Sequence, residues 1–356
     1  MERQKSYICI DLKSFYASVE CVERDLDPFT TNLVVADPTR SQSTICLAIT
    51  PAMKKLGVKN RCRIHEIPAG IEYITAMPRM QLYIDYSAKI YSIYLRYLSK
   101  EDIHVYSIDE CFMDVTDYLS LYDMSAKEMA VELMAAVMKE TGITATAGIG
   151  TNLYLAKVAM DIVAKHVDDH IGILDEISYR QKLWDHRPLS DFWRIGSRTE
   201  RKLAGYGIHT MGDIAYASVT SEDWLYKMFG IDAELLIDHA WGFESCGMHD
   251  IKNYHTEEHS LSNGQVLMRN YSYEEAAVVV REMTDVLVLD LVAKGLITSS
   301  VTLWIAYDHR YEKPSSHGTV KLTSPTNSSN SIMYEVEKLY RQIADRHTGI
   351  RRIEIC

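Results

Sequence analysis

Hydrophobic and polar positions in the first 150 residues follow the order strand, helix, strand, strand, helix, strand. Apolar residues recur every three to four positions in the predicted helices and alternate or run unbroken in the predicted strands. An insertion with short strands of its own, "NLVVAD" and "TICLAIT", follows the first helix. Without the insertion, the order is that of a split βαβ arrangement, an antiparallel sheet with helices on one face. The predicted elements are a strand at about 6–11, a helix from Phe15, the helix "MQLYIDYSAKIYSIYLRYL", the hairpin strands "IHVYSID" and "CFMDV", a helix at about 125–140, the strand "GITATAGIG" and a helix from near Asn152.

The same order of elements returns in roughly the last hundred residues. Between the two modules, about 168–243 is predicted to be helical, with Gly-containing turns, and the polar segment "GMHDIKNYHTEE" is predicted to be a linker. The chain is therefore predicted to be a multidomain α+β protein with two βαββαβ modules. The C-terminal elements are a strand near 253–265, a helix at about 273–294, the strands "SSVTLWIAYDH" and "HGTVKLTS", a helix at 331–346 and the strand "IRRIEI".

Composition narrows the class of protein. The 356 residues are 47% hydrophobic and 24% charged, without an apolar run near the roughly 18 residues that span a bilayer. The seven cysteines form no CxxC pair and the N-terminus is polar, which favours reduced thiols, a cytoplasmic location and no membrane partner. The formal net charge of -11 argues mildly against nucleic acid, although helix N-termini and local patches bind phosphates on acidic proteins.

Three acids are predicted to meet at one end of the first module. Asp11 ends the first strand, and "SIDE" places Asp109 and Glu110 at the hairpin turn that lies beside that strand. Carboxylates that share one spot repel unless cations neutralise them, and hard oxygen ligands favour Mg²⁺. Two such ions, roughly 3.5–4 Å apart, suit phosphoryl or nucleotidyl transfer. The alternative is that the acids cap strand ends and face water.

The helix that follows Asp11 predicts a cradle for a triphosphate. Ser14 is a candidate N-cap, and the free N–H groups at Phe15 and Tyr16 would point toward the metals. The ring of Tyr16 would stand beside the sugar and exclude a 2'-hydroxyl. The alternative is that both rings pack the helix onto the sheet.

Other candidate phosphate contacts are basic or backbone groups. Lys157 follows "GIGTNLYLA" on a helix, and Lys54 precedes Lys55 in "TPAMKKLG". Taken alone, each is more typical of a solvated surface lysine, which is the alternative. The hairpin Arg194-Ile195-Gly196 between two short helices could hold a DNA phosphate through its backbone N–H groups, or be a plain helical hairpin.

Four motifs together resemble the Y-family (UmuC/DinB-type, impB/mucB/samB) DNA polymerases, which copy damaged templates. The motifs are "IDLKSFYASVE", "YSIDECFMDV", "AGIGTNLYLAK" and the hairpin at 193–196, and the resemblance covers essentially the whole chain, closest to the UmuC-like branch of Gram-positive bacteria. It implies a low-fidelity, template-directed DNA polymerase that binds primer-template DNA and dNTPs, with a sliding clamp or recombinase as a further partner. It also implies a right-hand layout: palm at 1–14 and 81–166, fingers at 15–80, thumb at 167–243, a linker at 244–251 and a DNA-binding little finger at 252–356.

The resemblance assigns roles residue by residue. It implies that Asp11, Asp109 and Glu110 bind two Mg²⁺ ions, with the Leu12 carbonyl as a further ligand. The phosphate-binding lysine is Lys157, and further expected contacts are Phe15 and Tyr16 to the nucleotide, Lys54 from the fingers, and Arg194, Ile195 and Gly196 to DNA.

Two positions depart from the family pattern. Lys13 stands where many members have a second acid, and Pro51 stands where several have a tyrosine that touches the triphosphate. Because of Pro51, the role of the fingers in nucleotide binding stays open. Two other functions stay open as alternatives: a non-catalytic DNA-binding repair scaffold, and a metal-dependent phosphohydrolase or nucleotide cyclase.

Overall fold

The computed structural model describes residues 4–39, 43–254 and 260–356, and the chain divides into two compact units, Met1–Tyr254 and His255–Cys356. Each unit contains a sheet with helices packed on it, so the predicted α+β class is confirmed. No helix in the described ranges has the length and apolar content that crossing a bilayer requires.

The first unit holds the N-terminal module, the insertion and the helical stretch. Its elements are, in chain order, β1 (Tyr7–Leu12), α1 (Phe15–Val22), β2 (Leu33–Val35), β3 (Ala48–Ile49), α2 (Pro51–Lys55), β4 (Ile74–Ala76), α3 (Met80–Tyr94), β5 (Ile103–Val105), β6 (Glu110–Asp114), α4 (Tyr118–Tyr122), α5 (Ala126–Thr141), β7 (Ala145–Gly150), α6 (Leu153–Val158), β8 (Ile171–Leu174), α7 (Glu176–Leu183), α8 (Ser197–Ala204), α9 (Met211–Thr220), α10 (Glu222–Phe229), α11 (Asp232–Trp241) and α12 (Met248–Asn253).

The main sheet of this unit has the strand order β5-β6-β1-β7-β8. β1 lies antiparallel between β6 and β7, so four of the strands have the order of a ferredoxin-like βαββαβ module. The fifth strand, β8, pairs parallel with β7 and lies within the stretch predicted to be helical. Its four residues, Ile171–Leu174, are too few to show a period of their own, and their pairing with β7 makes them a strand.

The two faces of β1 contact different layers. Ile8, Ile10 and Leu12 point into the main core, which α1, α3 and α5 cover. Tyr7 and Cys9 belong to a smaller cluster with residues of α6 and α12. Since Asp11 continues the Tyr7–Cys9 alternation, it lies on the face that carries α6.

Glycines allow α6 and the π-helical segment after it to approach this face closely. A Cβ on Gly148 would lie 2.0 Å from the Ala156 carbonyl oxygen, and one on Gly150 would lie 2.2 Å from the Ala156 nitrogen. On β8, a Cβ on Gly172 would lie 2.1 Å from the Ala159 carbonyl oxygen. These distances are far below van der Waals contact, so only glycine fits at each position.

The insertion forms a small sheet of its own with the order β3-β2-β4. β3 is antiparallel to β2 and β4 is parallel to it, over a core that includes Val34, Ile49 and Met53. Of the strand predicted over "TICLAIT", the structure forms only Ala48–Ile49, because those are the residues that pair with β2.

The segment predicted as a linker, 244–251, overlaps a helix of the first unit. Met248, at the start of α12, is buried against the sheet. Lys252 donates hydrogen bonds from Nζ to the carbonyls of Lys100 (2.9 Å) and Ile103 (2.6 Å). These contacts explain why the boundary between the units falls after Tyr254.

The second unit is a four-stranded sheet with the order β11-β10-β12-β9 under two helices. The strand predicted near 253–265 lies instead at β9, because pairing with the last strand fixes its register; residues 255–259 of that prediction lie outside the described residues. The elements are β9 (Asn263–Tyr271), α13 (Tyr273–Ala293), β10 (Thr298–Tyr307), β11 (Ser316–Thr326), α14 (Ser329–Ile343) and β12 (Ile350–Ile355).

The close approach of α6 to Gly148 and Gly150, the glycine face of the main sheet, gives a stability prediction. In Gly148→Ala the new methyl group would overlap α6 backbone, so we expect the free energy of unfolding to fall by roughly 1–3 kcal/mol or more. Gly70→Ala is the matched control, because nothing lies within 4 Å of its Cβ position, and we expect a change within about 0.5 kcal/mol. Denaturant unfolding measures both; equal midpoints would contradict the close approach of α6.

Candidate active site

The ends of β1 and β6 bring the three predicted acids together. Asp11 pairs directly with Glu110 across the two antiparallel strands. The Leu12 N–H donates a 2.9 Å hydrogen bond to the Asp109 carbonyl, which places the "SIDE" turn against the end of β1. The alternative that these acids are merely exposed strand caps does not hold for Glu110, which is only 7% exposed.

Lys157 is a buried partner of these acids and not a solvated surface lysine. Its side chain extends from α6 over the sheet and its Nζ lies 2.9 Å from Glu110 Oε1 and 3.0 Å from Asp161 Oδ2. Cys9 donates from Sγ to the same Glu110 oxygen, at 3.3 Å. A buried carboxylate requires such partners, because burial without them disfavours the charged form strongly.

The contacts with Lys157 and Cys9 do not fully offset the cost of keeping these acids charged. Burial, followed by the charges of Asp109 and Glu110, raises the pKa of Asp11 to about 7. Burial also raises the pKa of Glu110, although Lys157 acts in the opposite direction. Buried acids with other acids beside them are in the condition in which a bound cation favours their charged forms.

The acid side chains do not converge on a single point. Asp109 accepts a 2.7 Å hydrogen bond from Ser107 Oγ, while Glu110 is directed to Lys157. In the described part of the chain, no group of three or more His, Cys, Asp or Glu side chains is arranged so that it could hold one metal ion. The structure therefore brings the predicted ligands to one end of the sheet without assembling a finished metal cluster.

The helix start after β1 differs from the predicted side-chain cap. Ser14 has a left-handed backbone (φ 49°, ψ 40°), and its side chain makes no capping hydrogen bond. Ser14 Oγ is one of the buried polar atoms in the described residues that have no hydrogen-bond partner. The first-turn N–H groups of α1 thus receive no side-chain oxygen and are available to an anion.

The two aromatic residues of this turn have different environments. Phe15 is 2% exposed and belongs to the main core, so the packing alternative describes it. Tyr16 is half-buried at the edge of that core, and its ring stacks on Tyr83 with centroids 4.5 Å apart.

Lys54 and Lys13 both lie within electrostatic reach of Asp11. Burial lowers the pKa of Lys54, whereas Asp11 raises it. Burial likewise lowers the pKa of Lys13; Asp11 acts against this shift and Lys54 adds to it. Lys13, Lys54 and Lys157 thus each interact electrostatically with Asp11, from three different parts of the chain.

The predicted DNA-contact hairpin is an exposed turn with a buried anchor. Arg194 adopts a positive φ of 67° and lies over the Trp193 ring, 5.0 Å from its centroid. Ile195 is 6% exposed, which fixes the turn in the helical core. Gly196 is the N-cap of α8, and no side chain caps that helix, so its first N–H groups can bind an anion.

Sequence reasoning did not identify Cys9 and Asp161 as neighbours of the site. Asp161 follows Lys157 by four residues, a spacing that places side chains on one helix face and could have revealed the pair. The alternation of glycines at Gly148 and Gly150 was the visible sign that a helix lies close to β7. Nothing in the local sequence marks Cys9, because only the register of β1 with β6 brings it near Glu110.

Two family models and several known proteins match this chain. The model of the impB/mucB/samB family matches residues 10–161, and the model of that family's C-terminal domain matches residues 258–356. UvrX of Bacillus subtilis (strain 168), a protein named for UV-damage repair, is 32% identical over 333 residues, which are 92% of this chain and 77% of UvrX. A DNA polymerase IV 2 of the same organism is 30% identical over 346 residues, covering 96% of this chain and 81% of that protein.

A solved structure shows the same fold. The chain matches a Y-family DNA polymerase chimera, Dbh-Dpo4(243-245)-Dbh, with a TM-score of 0.76, over 98% of this chain and 97% of that one. The 21% identity of this match limits it to the fold. The resemblance drawn from four short motifs is thereby confirmed, and the chain belongs to the impB/mucB/samB family.

Proposed function

We infer that the chain is a DNA-directed DNA polymerase that performs low-fidelity, template-directed synthesis across damaged positions. The observation that carries this inference is the joint placement of Asp11, Glu110 and Lys157 at one end of the main sheet, in a chain of this family. Acids beside a lysine suit transfer of a nucleotidyl group, since they hold cations and a polyphosphate at the same place.

The chain's own groups can position a nucleoside triphosphate. The uncapped N-terminus of α1 presents N–H groups to phosphate oxygens, and Lys157 adds a buried positive charge. Lys54 and Lys13 supply further charge beside Asp11.

Divalent metal dependence follows from membership of the polymerase family, and we propose Mg²⁺, two ions, as the metal. The residues fit by donor type and charge, since Asp11, Asp109, Glu110 and the Leu12 carbonyl offer hard oxygens in a region of excess negative charge. Asp109 and Glu110 would turn from Ser107 and Lys157 to become ligands. Bound Mg²⁺ would supply Lewis-acid stabilisation of the primer 3'-oxygen and the leaving pyrophosphate.

Tyr16 is the proposed discriminator between deoxyribose and ribose. Its ring is half-buried beside the α1 N-terminus, where the sugar of a bound nucleotide would follow the phosphates. A fixed ring at that position leaves no volume for a 2'-hydroxyl, and exclusion of one small group is the kind of selection that pocket shape can provide.

The remaining assignments belong to the same proposal. Palm, fingers and thumb are carried by the first unit and the little finger by the second; the exposed turn at Arg194 and Gly196 binds a DNA phosphate. A cytoplasmic location and a sliding clamp or recombinase partner complete it. Family membership disfavours both alternatives, the scaffold and the phosphohydrolase or cyclase.

Primer extension tests the catalytic assignment. The wild type is expected to extend a primer on a template with Mg²⁺ and dNTPs, and Asp109→Ala with Glu110→Ala is expected to lower the rate by at least about a hundredfold. The matched control is Glu101→Ala with Asp102→Ala. These two adjacent acids lie directly before β5, away from the candidate site. Equal extension by the first double variant and the control would contradict the assignment.

Replacement of the proposed discriminator should change the choice of sugar. Tyr16→Ala removes the ring, so we expect ribonucleotide incorporation relative to deoxyribonucleotide incorporation to rise by at least about tenfold. Single-nucleotide insertion with dNTP and with the matching rNTP measures the ratio. Tyr122→Ala, at an exposed tyrosine of α4, is the control and should leave the ratio unaltered. An unchanged ratio in Tyr16→Ala would remove this role.

The raised pKa of Asp11 predicts how stability depends on pH without metal. The folded state binds a proton on the Asp11 carboxyl more tightly than the unfolded chain does. The stability that this proton contributes is therefore fully present below about pH 4 and is lost as the pH rises through about 7. In EDTA at pH 8, Asp11→Asn should therefore be more stable than the wild type by about 1–3 kcal/mol, with little difference at pH 4.5.

Thermal or denaturant unfolding measures this effect, and Asp185→Asn, a change at an exposed aspartate, is the control. Added Mg²⁺ should stabilise the wild type at pH 8 and stabilise Asp11→Asn much less. A wild type and an Asp11→Asn variant with parallel pH profiles would show that Asp11 is not electrostatically crowded in solution.

A further inference from the structure

Glu20 is a fully buried carboxylate that the proposed chemistry does not use. It lies on α1, one turn beyond Tyr16, and its exposed fraction is 0%. Arg79 makes a two-point contact with it, from Nε to Oε1 at 2.9 Å and from Nη2 to Oε2 at 2.8 Å. Arg24 donates from Nη1 to Oε2 as well. A charge buried this completely has strong contacts on both oxygens, which fixes its position.

The fourth contact of this carboxylate leads back to the proposed sugar discriminator. Tyr83, on α3, donates a 2.7 Å hydrogen bond from its hydroxyl to Glu20 Oε1. The Tyr83 side chain is completely buried, and its ring stacks on Tyr16 with centroids 4.5 Å apart and an interplanar angle of 18°. One face of the Tyr16 ring therefore rests on a ring that is itself held at its far end.

The network also joins two helices. Arg79 is the N-cap residue of α3, so its contact with Glu20 fixes the start of α3 against the last turn of α1. The pKa of Glu20 is lowered, although burial alone would raise it, because Arg79, Tyr83 and Arg24 donate to its charged form. The carboxylate is thus fully compensated where it lies, and displacement would leave a buried charge without partners.

We propose that Glu20 and Arg79, acting through the hydroxyl of Tyr83, are positioning residues for sugar selection: they hold the Tyr83 ring where it supports Tyr16. This inference rests on the proposed polymerase function. None of the three residues needs to touch the nucleotide. Exclusion of a 2'-hydroxyl depends on the position of the Tyr16 ring to a fraction of an ångström, and a ring stacked on a fixed neighbour is displaced less easily than one facing solvent.

Tyr83→Phe tests the proposal with minimal disturbance. It keeps the ring and removes only the hydrogen bond to Glu20, whose oxygens retain both arginines. We expect the ratio of kcat/KM for dNTP over rNTP to fall about three- to tenfold, the size of one lost hydrogen bond, with dNTP incorporation changed less than about twofold. A residue that only stabilised the fold would alter both substrates alike.

The same two helices offer a matched control. Tyr86, three residues beyond Tyr83 on α3, donates from its hydroxyl to Glu23, the C-cap residue of α1, at 2.7 Å and in an exposed position. Tyr86→Phe removes an equivalent hydrogen bond between the helices without a contact to Tyr16, and it should leave the selectivity at the wild-type value. Glu20→Gln, which also weakens the Arg79 contact, should lower selectivity at least as much as Tyr83→Phe.

A double-mutant cycle decides whether the effect passes through Tyr16. In a Tyr16→Ala background the supported ring is absent, so Tyr83→Phe should cause no further loss of selectivity. Additive losses, or wild-type selectivity in Tyr83→Phe, would overturn the inference and leave the polymerase assignment intact. A wild type that extends no primer with dNTPs would overturn the proposed function, and this inference with it.

Discussion

The contact between α6 and the glycine face of the main sheet is the constraint on which the candidate site depends. Gly148 and Gly150 let the helix backbone lie where any larger residue would collide with it. On the helix held at that distance, Lys157 makes a buried ion pair with Glu110. Glu110 in turn lies opposite Asp11, so one packing distance determines the electrostatics of the acids.

The two kinds of buried acid in the first unit are distinguished by their charge balance. Glu20 is enclosed by two arginines and a tyrosine, and its pKa is lowered. Burial is the largest cause of the raised pKa values of Asp11 and Glu110, and Lys157 offsets it only in part. A structural carboxylate has its partners within the protein, whereas acids left with excess negative charge are typical of sites completed by a ligand. The same helix, α1, connects the two kinds, since its uncapped N-terminus follows Asp11 closely in the chain and Glu20 lies in its last turn.

The two βαββαβ modules show how far an order of elements determines a sheet. In the first unit β6, the third strand of its module, lies between the first and second; in the second unit β12, the fourth strand, takes that place. In each unit, the first helix connects the first and second strands and leaves space for one strand between them. Either the third or the fourth strand can occupy that space. The order of elements along the chain is the same in both units, so that order alone does not determine which strand takes the central place.

The sequence by itself determined the α+β class, most helices and strands, and the acids and lysine of the candidate site, because apolar periodicity and residue chemistry are local properties. The boundary of β9, the strand β8 and the helix that replaced the expected linker were decided by tertiary pairing, since each is too short or too polar to show a pattern of its own. The tertiary structure alone also placed Cys9 on Glu110, left Ser14 without a capping role, and connected Tyr16 through Tyr83 to Glu20. Those contacts join residues distant in sequence, and their energies depend on distances that exist only after the helices have packed.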